Sequence, residues 1–419
     1  MIYRAATTLA GAALRGAAPL AGDALRERLV LGDPPPSVGG GIWVHGASVG
    51  ELNSARSVIE ALAAKRPLLV TANTETGRAV AQGWGLPARL APLDVPGAVV
   101  RFLDVARPAL MLTIENEIWP NRAAQARRRG IAQAVIGARM SARSASRWGR
   151  ARGLIAPVLA GLDLLSAQDE GTEAHLRTLG LPERALAPRL NLKLLGPAAI
   201  RPPEESPARD RVWLAASTHE GEEAPVLAAH AALRARFPEL RLILAPRHPR
   251  RADEVARLIA AQGFPVARLG DRPLAEAGAP PVLLIDRLGV MAEAYATAGV
   301  CLTGGSLVDR GGHTPWEPAA WRCALLHGPH VANFQADYGA LDAASAARPV
   351  EAGTLAGALG AVLDDSPARR AMGQAARAAL DRAAPDPAPL VARLLTLATP
   401  VCPGFPRTFR ELISSPLEG

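Results

Sequence analysis

Glu51 stands three residues beyond Ser48, just after an apolar run that ends at His45. That arrangement opens a helix with a serine cap and puts a carboxylate in its first turn. Ser217-Thr218-His219-Glu220 and Thr314-Pro315-Trp316-Glu317 repeat it, the latter with Pro315 at the favoured first helical position. Free amides and the helix dipole make such ends seats for phosphate or carboxylate groups. A glutamate in that place has two uses. It can reach back to its own capping residue or take a proton from a hydroxyl nucleophile, and spacing does not choose between them.

Other candidates lie nearby. Pro246-Arg247-His248-Pro249 follows an apolar run; its two prolines suit a guanidinium held for a phosphate, and equally an ordinary turn. Gly304-Gly305-Ser306 and Gly311-Gly312-His313 let backbone approach a ligand closely. Glu115 and Glu117 end another apolar run, where strand alternation would place both on one side. The sequence HEGEE from His219 lacks the second histidine of a zinc HExxH, and Cys301, Cys323 and Cys402 share no CxxC spacing. No P-loop and no GxGxxG sits between a strand and a helix. Neither a metal nor a cofactor is expected.

The elements that must carry these residues are legible as short apolar runs bounded by turn residues, at 42–45, 68–72, 109–114, 132–136, 212–216, 242–245, 282–285, 300–303 and 324–327. Stretches with helical spacing separate them, among them 222–237 and 252–262. Alternation of strand and helix predicts an α/β protein with doubly wound parallel sheets covered on both faces. Residues 198–210, with Pro202, Pro203 and Pro207, read as a linker between a domain at 36–197 and another at 211–400. Ligands of such sheets bind beyond the carboxyl ends of the strands, so a cleft between the domains is the expected site.

Charge narrows the partners. The 419-residue chain carries a net +8, almost all of it arginine, since Lys65 and Lys193 are the two lysines. Between Ile118 and Leu162 there are nine arginines and no acidic residue. If that region is helical, Arg139, Arg143, Arg147 and Arg150 share a face beside Trp148, suited to phosphates or anionic lipid, or simply to water. Residues 1–35 read as an amphipathic, membrane-proximal segment, and no apolar run is long enough to span a bilayer. A noncatalytic nucleic-acid binder is the rival reading of the basic window; aromatic residues at 4% argue against it.

With these residues in place, the chain resembles the 3-deoxy-D-manno-octulosonic acid (Kdo) transferases of lipid A assembly. The resemblance rests on HGASVGE from His45, ENEIWPN from Glu115, ARMSARS from Ala138, NLK from Asn191, ASTHEGEE from Ala216, PRHP from Pro246 and GGSLVDRGGHTPWEPAA from Gly304, in family order. It implies a GT-B glycosyltransferase, inverting, with an acceptor-binding first domain, a donor-binding second one, and a tail at 401–419 that returns to the first. The implied donor is CMP-Kdo and the implied acceptor a lipid A precursor resembling lipid IVA. The implied location is peripheral, on the anionic cytoplasmic face of the inner membrane; nucleic acid is not an expected partner.

The resemblance implies Glu51 as general base, with Glu115 or Glu117, and Lys193, supporting the transition state. Implied donor contacts are Pro246, Arg247, His248, Gly289, Val290, Met291, Gly304, Gly305, Ser306, His313, Thr314, Trp316 and Glu317. Ser48, Gly50, Arg139 and Arg143 are the expected acceptor contacts. The family usually has Asn-Pro-Leu-Glu at 314–317 and Gly-Glu-Leu at 289–291, where this chain has Thr-Pro-Trp-Glu and Gly-Val-Met. Rival enzymes of the same fold would use another nucleotide sugar.

Overall fold

The computed structural model describes residues 2–399 apart from Ala21 and Asn116, so Cys402 and the expected 401–419 tail lie outside the described residues. The chain forms two units. Among the described residues the first takes in those up to Gly196 together with 385–399, and the second spans Pro197–Ala384.

In the first unit seven parallel strands, β1 (Ile42–His45), β2 (Leu68–Ala72), β3 (Ala88–Leu90), β4 (Leu110–Ile114), β5 (Ala132–Ala138), β6 (Leu164–Ala167) and β7 (Leu186–Ala187), lie in the order β3-β2-β1-β4-β5-β6-β7. Every residue of β1, β2, β4, β5 and β6 is buried, as a parallel sheet covered on both faces requires. Strand order reverses between β1 and β4, the place where doubly wound sheets bind their ligands. Glu51 and Glu117 both follow strands that flank that reversal.

The second unit repeats the plan with β8 (Val212–Thr218), β9 (Arg241–Pro246), β10 (Ala267–Arg268), β11 (Val282–Leu284), β12 (Val300–Thr303), β13 (Ala324–His327) and β14 (Ala347–Pro349), in the order β10-β11-β9-β8-β12-β13-β14. Its reversal falls between β8 and β12, so Ser217 and Gly304 mark the corresponding edge.

Two boundaries differ from expectation. Residues 198–210 are not a loose linker. Arg369, itself 1% exposed, pairs with Glu205 and Asp210, Arg370 also takes Asp210, and Arg377 donates to the carbonyls of Ala198 and Ile200. These guanidiniums bind the segment to the second unit. Nor does that unit run to 400: Leu390, Leu394 and Ala398, on and after the helix Ala388–Leu397, pack into the core of the first unit with Ile59 and Leu62. The amino-terminal helix Ile2–Ala17 is fastened to the first unit, with the Tyr3 hydroxyl donating to Asp94 at 2.9 Å and Asn121 Nδ2 donating to Thr7 Oγ1 at 3.0 Å. Among the described residues no helix is long and apolar enough to cross a membrane.

Candidate functional site

Glu51 sits in the helix Val49–Ser54, begun as the spacing predicts: Ser48 Oγ accepts from Glu51 N at 3.3 Å. Its carboxylate accepts from Ala47 N at 2.6 Å, one residue before the cap. That contact ties down the amide just before the cap rather than the capping residue's own, so the carboxylate has a structural use near the one expected. It does not exhaust the residue. Burial pushes the Glu51 carboxyl up; the Ala47 amide opposes this, the charges of Glu115 and Glu117 reinforce it, and the group titrates at about 7. A carboxylate tuned to neutrality can take a proton from an alcohol.

Glu117 is its opposite. One oxygen, Oε2, receives His45 Nε2 at 3.5 Å, Asn73 Nδ2 at 3.2 Å and the indole N–H of Trp119. Burial by itself would raise this carboxyl, but the three donors outweigh it and hold Glu117 at about 2. His45 is buried, and burial together with the neighbouring Arg122 charge lowers it to about 4. Neutral at physiological pH, it makes a hydrogen bond rather than an ion pair. An ionised Glu117 can only accept, so its contact with the imidazole uses a proton on Nε2, while Nδ1 stands 3.0 Å from the Thr71 hydroxyl and 3.2 Å from the Thr71 carbonyl oxygen.

The support of Glu117 is built from distant chain. Pro120 starts the helix Pro120–Arg128, whose first amides are capped by Asp94, accepting from Asn121 N at 3.0 Å and Arg122 N at 2.8 Å. This sets Trp119, with the buried Arg122 guanidinium 5.3 Å from its ring, against the carboxylate. Asn73 bridges the two segments, its backbone N–H bonding Ala47 O at 3.1 Å while its side chain holds Glu117. Glu115 lines the same pocket as Glu117, His45 and Trp119. Strand alternation does not explain this: β4 ends at Ile114, and Glu115 takes a left-handed φ of 58°. Sequence reasoning missed Asn73, Trp119 and Arg122, because a single amide, an indole and a buried arginine carry no spacing signal.

Lys193 lies in the first turn of the helix Leu192–Ala199, exposed, with its amide bonded to Asn191 Oδ1 at 3.2 Å. The basic stripe is shorter than expected. Ser141 caps the helix Ala142–Arg150, so Arg139 precedes it and only Arg143, Arg147 and Arg150 share the helix. All three are exposed, while Trp148 packs with the core cluster of Ile155 and Leu159 instead of standing beside them. Gly50 and Ser48 are exposed at the start of the Glu51 helix.

In the second unit a polar pocket is lined by Ala216, Ser217, Arg247, Tyr295, Thr303, His313, Thr314 and Glu317. Arg247 supplies the cation, placed by its amide bonding Thr218 O at 2.9 Å. Burial raises the Glu317 carboxyl, which receives the Tyr295 hydroxyl at 3.4 Å. His313 Nε2 lies 3.0 Å from His219 Nε2, with the rings stacked; His248 meets His219 edge-on at 6.1 Å. Burial, with the Arg247 charge adding to it, lowers His313 to about 4, so its ring is neutral near pH 7 and one of the two facing Nε2 atoms donates while the other accepts.

Two expected helix starts differ here for identifiable reasons. Ser217–Glu220 does not open a helix: β8 continues through Thr218, Ser217 takes a left-handed φ of 57°, and the helix starts at Glu223. The helix after Thr314 begins at Trp316, one residue later than Pro315 would place it, and the Trp316 ring is buried. Ser306 is buried and committed, receiving Gly328 N on its hydroxyl at 2.8 Å. Gly304 and Gly305 are needed for close packing, since a Cβ on Gly304 would lie 2.3 Å from Ser217 O and Gly305 has φ 67°. The Val290 side chain is buried, Gly289 has φ 89°, and Met291 starts the helix that carries Tyr295. Pro246 ends β9 in the interior. Thr303 and Tyr295 are pocket residues that sequence reasoning did not single out, and Ser217, expected as a helix cap, lines the pocket instead.

Comparison with known proteins follows the same lines. Residues 23–195 match the family model described as 3-deoxy-D-manno-octulosonic-acid transferase (kdotransferase). A 3-deoxy-D-manno-octulosonic acid transferase of Haemophilus influenzae is 34% identical over 72% of this chain and 73% of its own length. One from Bordetella pertussis is 36% identical over 82% of this chain and 84% of its own. A UDP-GlcNAc 2-epimerase from Neisseria meningitidis, 11% identical, superposes with a TM-score of 0.56 over 84% of this chain and 99% of its own, a likeness of fold.

Proposed function

Since this chain belongs to the 3-deoxy-D-manno-octulosonic acid (Kdo) transferase family, as a GT-B glycosyltransferase moving Kdo from CMP-Kdo in lipopolysaccharide biosynthesis, we propose how its two units divide the work. The first activates a hydroxyl of a lipid A precursor and the second holds the nucleotide sugar. The observation that carries this division is the pairing of Glu51, titrating at about 7, with Glu117, held at about 2.

Glu51 takes the acceptor proton as the hydroxyl oxygen attacks the anomeric carbon of Kdo, and CMP leaves with the electrons of the glycosidic bond, inverting the centre. Positive charge that builds on the sugar ring is met by the fixed anion of Glu117, and negative charge on the departing phosphate by Arg247; Lys193, a compact exposed ammonium on the first unit, is a further candidate for supporting the transition state. Glu317 and Tyr295 suit the hydroxyls of a ribose. Purified protein, CMP-Kdo and a lipid A precursor, with the product mass measured, test the assignment; transfer from a UDP-sugar and none from CMP-Kdo would overturn it.

Arg247→Ala weakens CMP-Kdo binding by about 10- to 100-fold, the worth of a charge-assisted contact to phosphate, as calorimetry would show. Unchanged donor affinity would remove Arg247 from the donor site.

The acceptor and its membrane belong to the same reading. Leu9 and Leu20, 74% and 95% exposed, lie on a segment that also exposes Arg4 and Arg15, a composition suited to the anionic cytoplasmic surface of the inner membrane. Arg143, Arg147 and Arg150 offer a second basic face for lipid phosphates.

A further inference from the structure

Backbone amides that converge on one point after a strand form an anion seat, and nucleotide phosphates are the usual occupants. In the second unit such a seat exists beside the donor pocket and is already filled. Glu222, 0% exposed, accepts Gly305 N at 2.7 Å, Ser306 N at 3.0 Å and Leu307 N at 2.9 Å from the loop after β12, and His219 N at 2.8 Å from the loop after β8. Four N–H donors on one carboxylate make it a built-in anion at the strand-order reversal.

The seat adjoins the donor pocket through its own members. Gly304, which precedes the first of these amides, packs against Ser217, and Gly305 abuts His313; Ser217 and His313 both line the pocket. Arg247 is the cation lining that pocket. One phosphate is therefore provided for. A second, carried by a nucleoside diphosphate, would need convergent donors of its own and would find the neighbouring set occupied by a buried negative charge.

We propose that Glu222 is a specificity-determining residue: by filling the amide seat of the Gly304–Leu307 loop it restricts the donor site to nucleoside monophosphate sugars and excludes nucleoside diphosphate sugars. The proposal rests on the donor assignment above, and explains it chemically, since the fold itself also accommodates UDP-linked ligands in the epimerase that superposes on it. Glu222 does not touch the reacting atoms. It acts by where its charge stands and by the loop it holds.

The test is calorimetric titration of the full chain with CMP and with CDP, in the wild type, Glu222→Ala and Glu222→Gln. The wild type binds CMP tighter than CDP by about tenfold or more, the penalty of a second phosphate meeting a buried like charge. Glu222→Ala opens the seat and brings CDP to at least the affinity of CMP, and added acetate, refilling the seat, restores the preference for CMP. A loss of packing alone would not respond to acetate. Glu222→Gln, which keeps the shape without the charge, reduces the preference and serves as the deciding variant if the alanine protein does not fold. Equal affinities in the wild type, an unchanged CMP-to-CDP ratio in the variant that folds, or no response to acetate would each overturn the proposal. Absence of CMP binding in the wild type would instead overturn the donor assignment, so the two failures are distinct.

Discussion

Replacing Glu51 by glutamine lowers kcat by about 10³-fold while CMP-Kdo affinity stays at the wild-type value, the magnitude expected for loss of a general base. The substitution is chosen to separate the two uses of this side chain. The amide oxygen of glutamine can still accept from Ala47 N, and Ser48 still caps the helix, so a residue that served only as a cap would leave turnover intact. The pH profile gives an independent check. Burial holds the Glu51 carboxyl protonated until about 7, and a base works only when ionised, so wild-type kcat climbs as pH rises through 7. The climb is absent from the residual rate of the glutamine protein. Wild-type turnover in Glu51→Gln, or an acid limb that persists in it, would remove Glu51 from the reaction.

Glu117→Gln lowers kcat by about 10²-fold, as expected when a fixed charge facing the transition state is neutralised without changing its shape. His45, Asn73 and Trp119 all donate to one oxygen of this carboxylate, which leaves the other unclaimed among the described residues. A second effect has a defined sign. The Glu117 charge is one of the influences that raise Glu51, so its removal lets Glu51 ionise more readily and moves the acid limb to lower pH. Steady-state rates from about pH 5 to 9 for both proteins, on the scale where carboxylates and histidines titrate, read the two effects together. A fall in kcat with an acid limb at the wild-type position would mean that Glu117 shapes the pocket without acting on Glu51.

Much of this is legible in the sequence itself. The apolar runs at 42–45, 68–72, 300–303 and 324–327 became strands with those limits, because a parallel strand buried on both faces writes itself as continuous hydrophobicity. Ser48 announced the helix that carries Glu51. Strands of two or three residues such as β7, β10 and β14 have too few residues to show any pattern, and β6 hides behind the polar Ser166. Ser217–Glu220 looked like a cap because its residue types fit; a left-handed Ser217 and the commitment of Glu222 to the neighbouring loop carried the chain past it. Local types propose a helix start, and long-range hydrogen bonds decide whether it is used. The same holds for Glu117, whose acidity depends on donors contributed 44 and 72 residues away.

The helix Ala388–Leu397 has a consequence for synthesis. Leu390 and Leu394 complete the core that Ile59 and Leu62 begin, yet the whole second unit is encoded between them. During translation the first unit emerges early and must wait, its last apolar layer open, for on the order of 10–40 s at ribosomal rates of about 5–20 residues per second. The second unit, whose chain is continuous, can close before the first. A nascent chain halted near Ala384 thus exposes an unfilled hydrophobic seat, the kind of surface that chaperones bind.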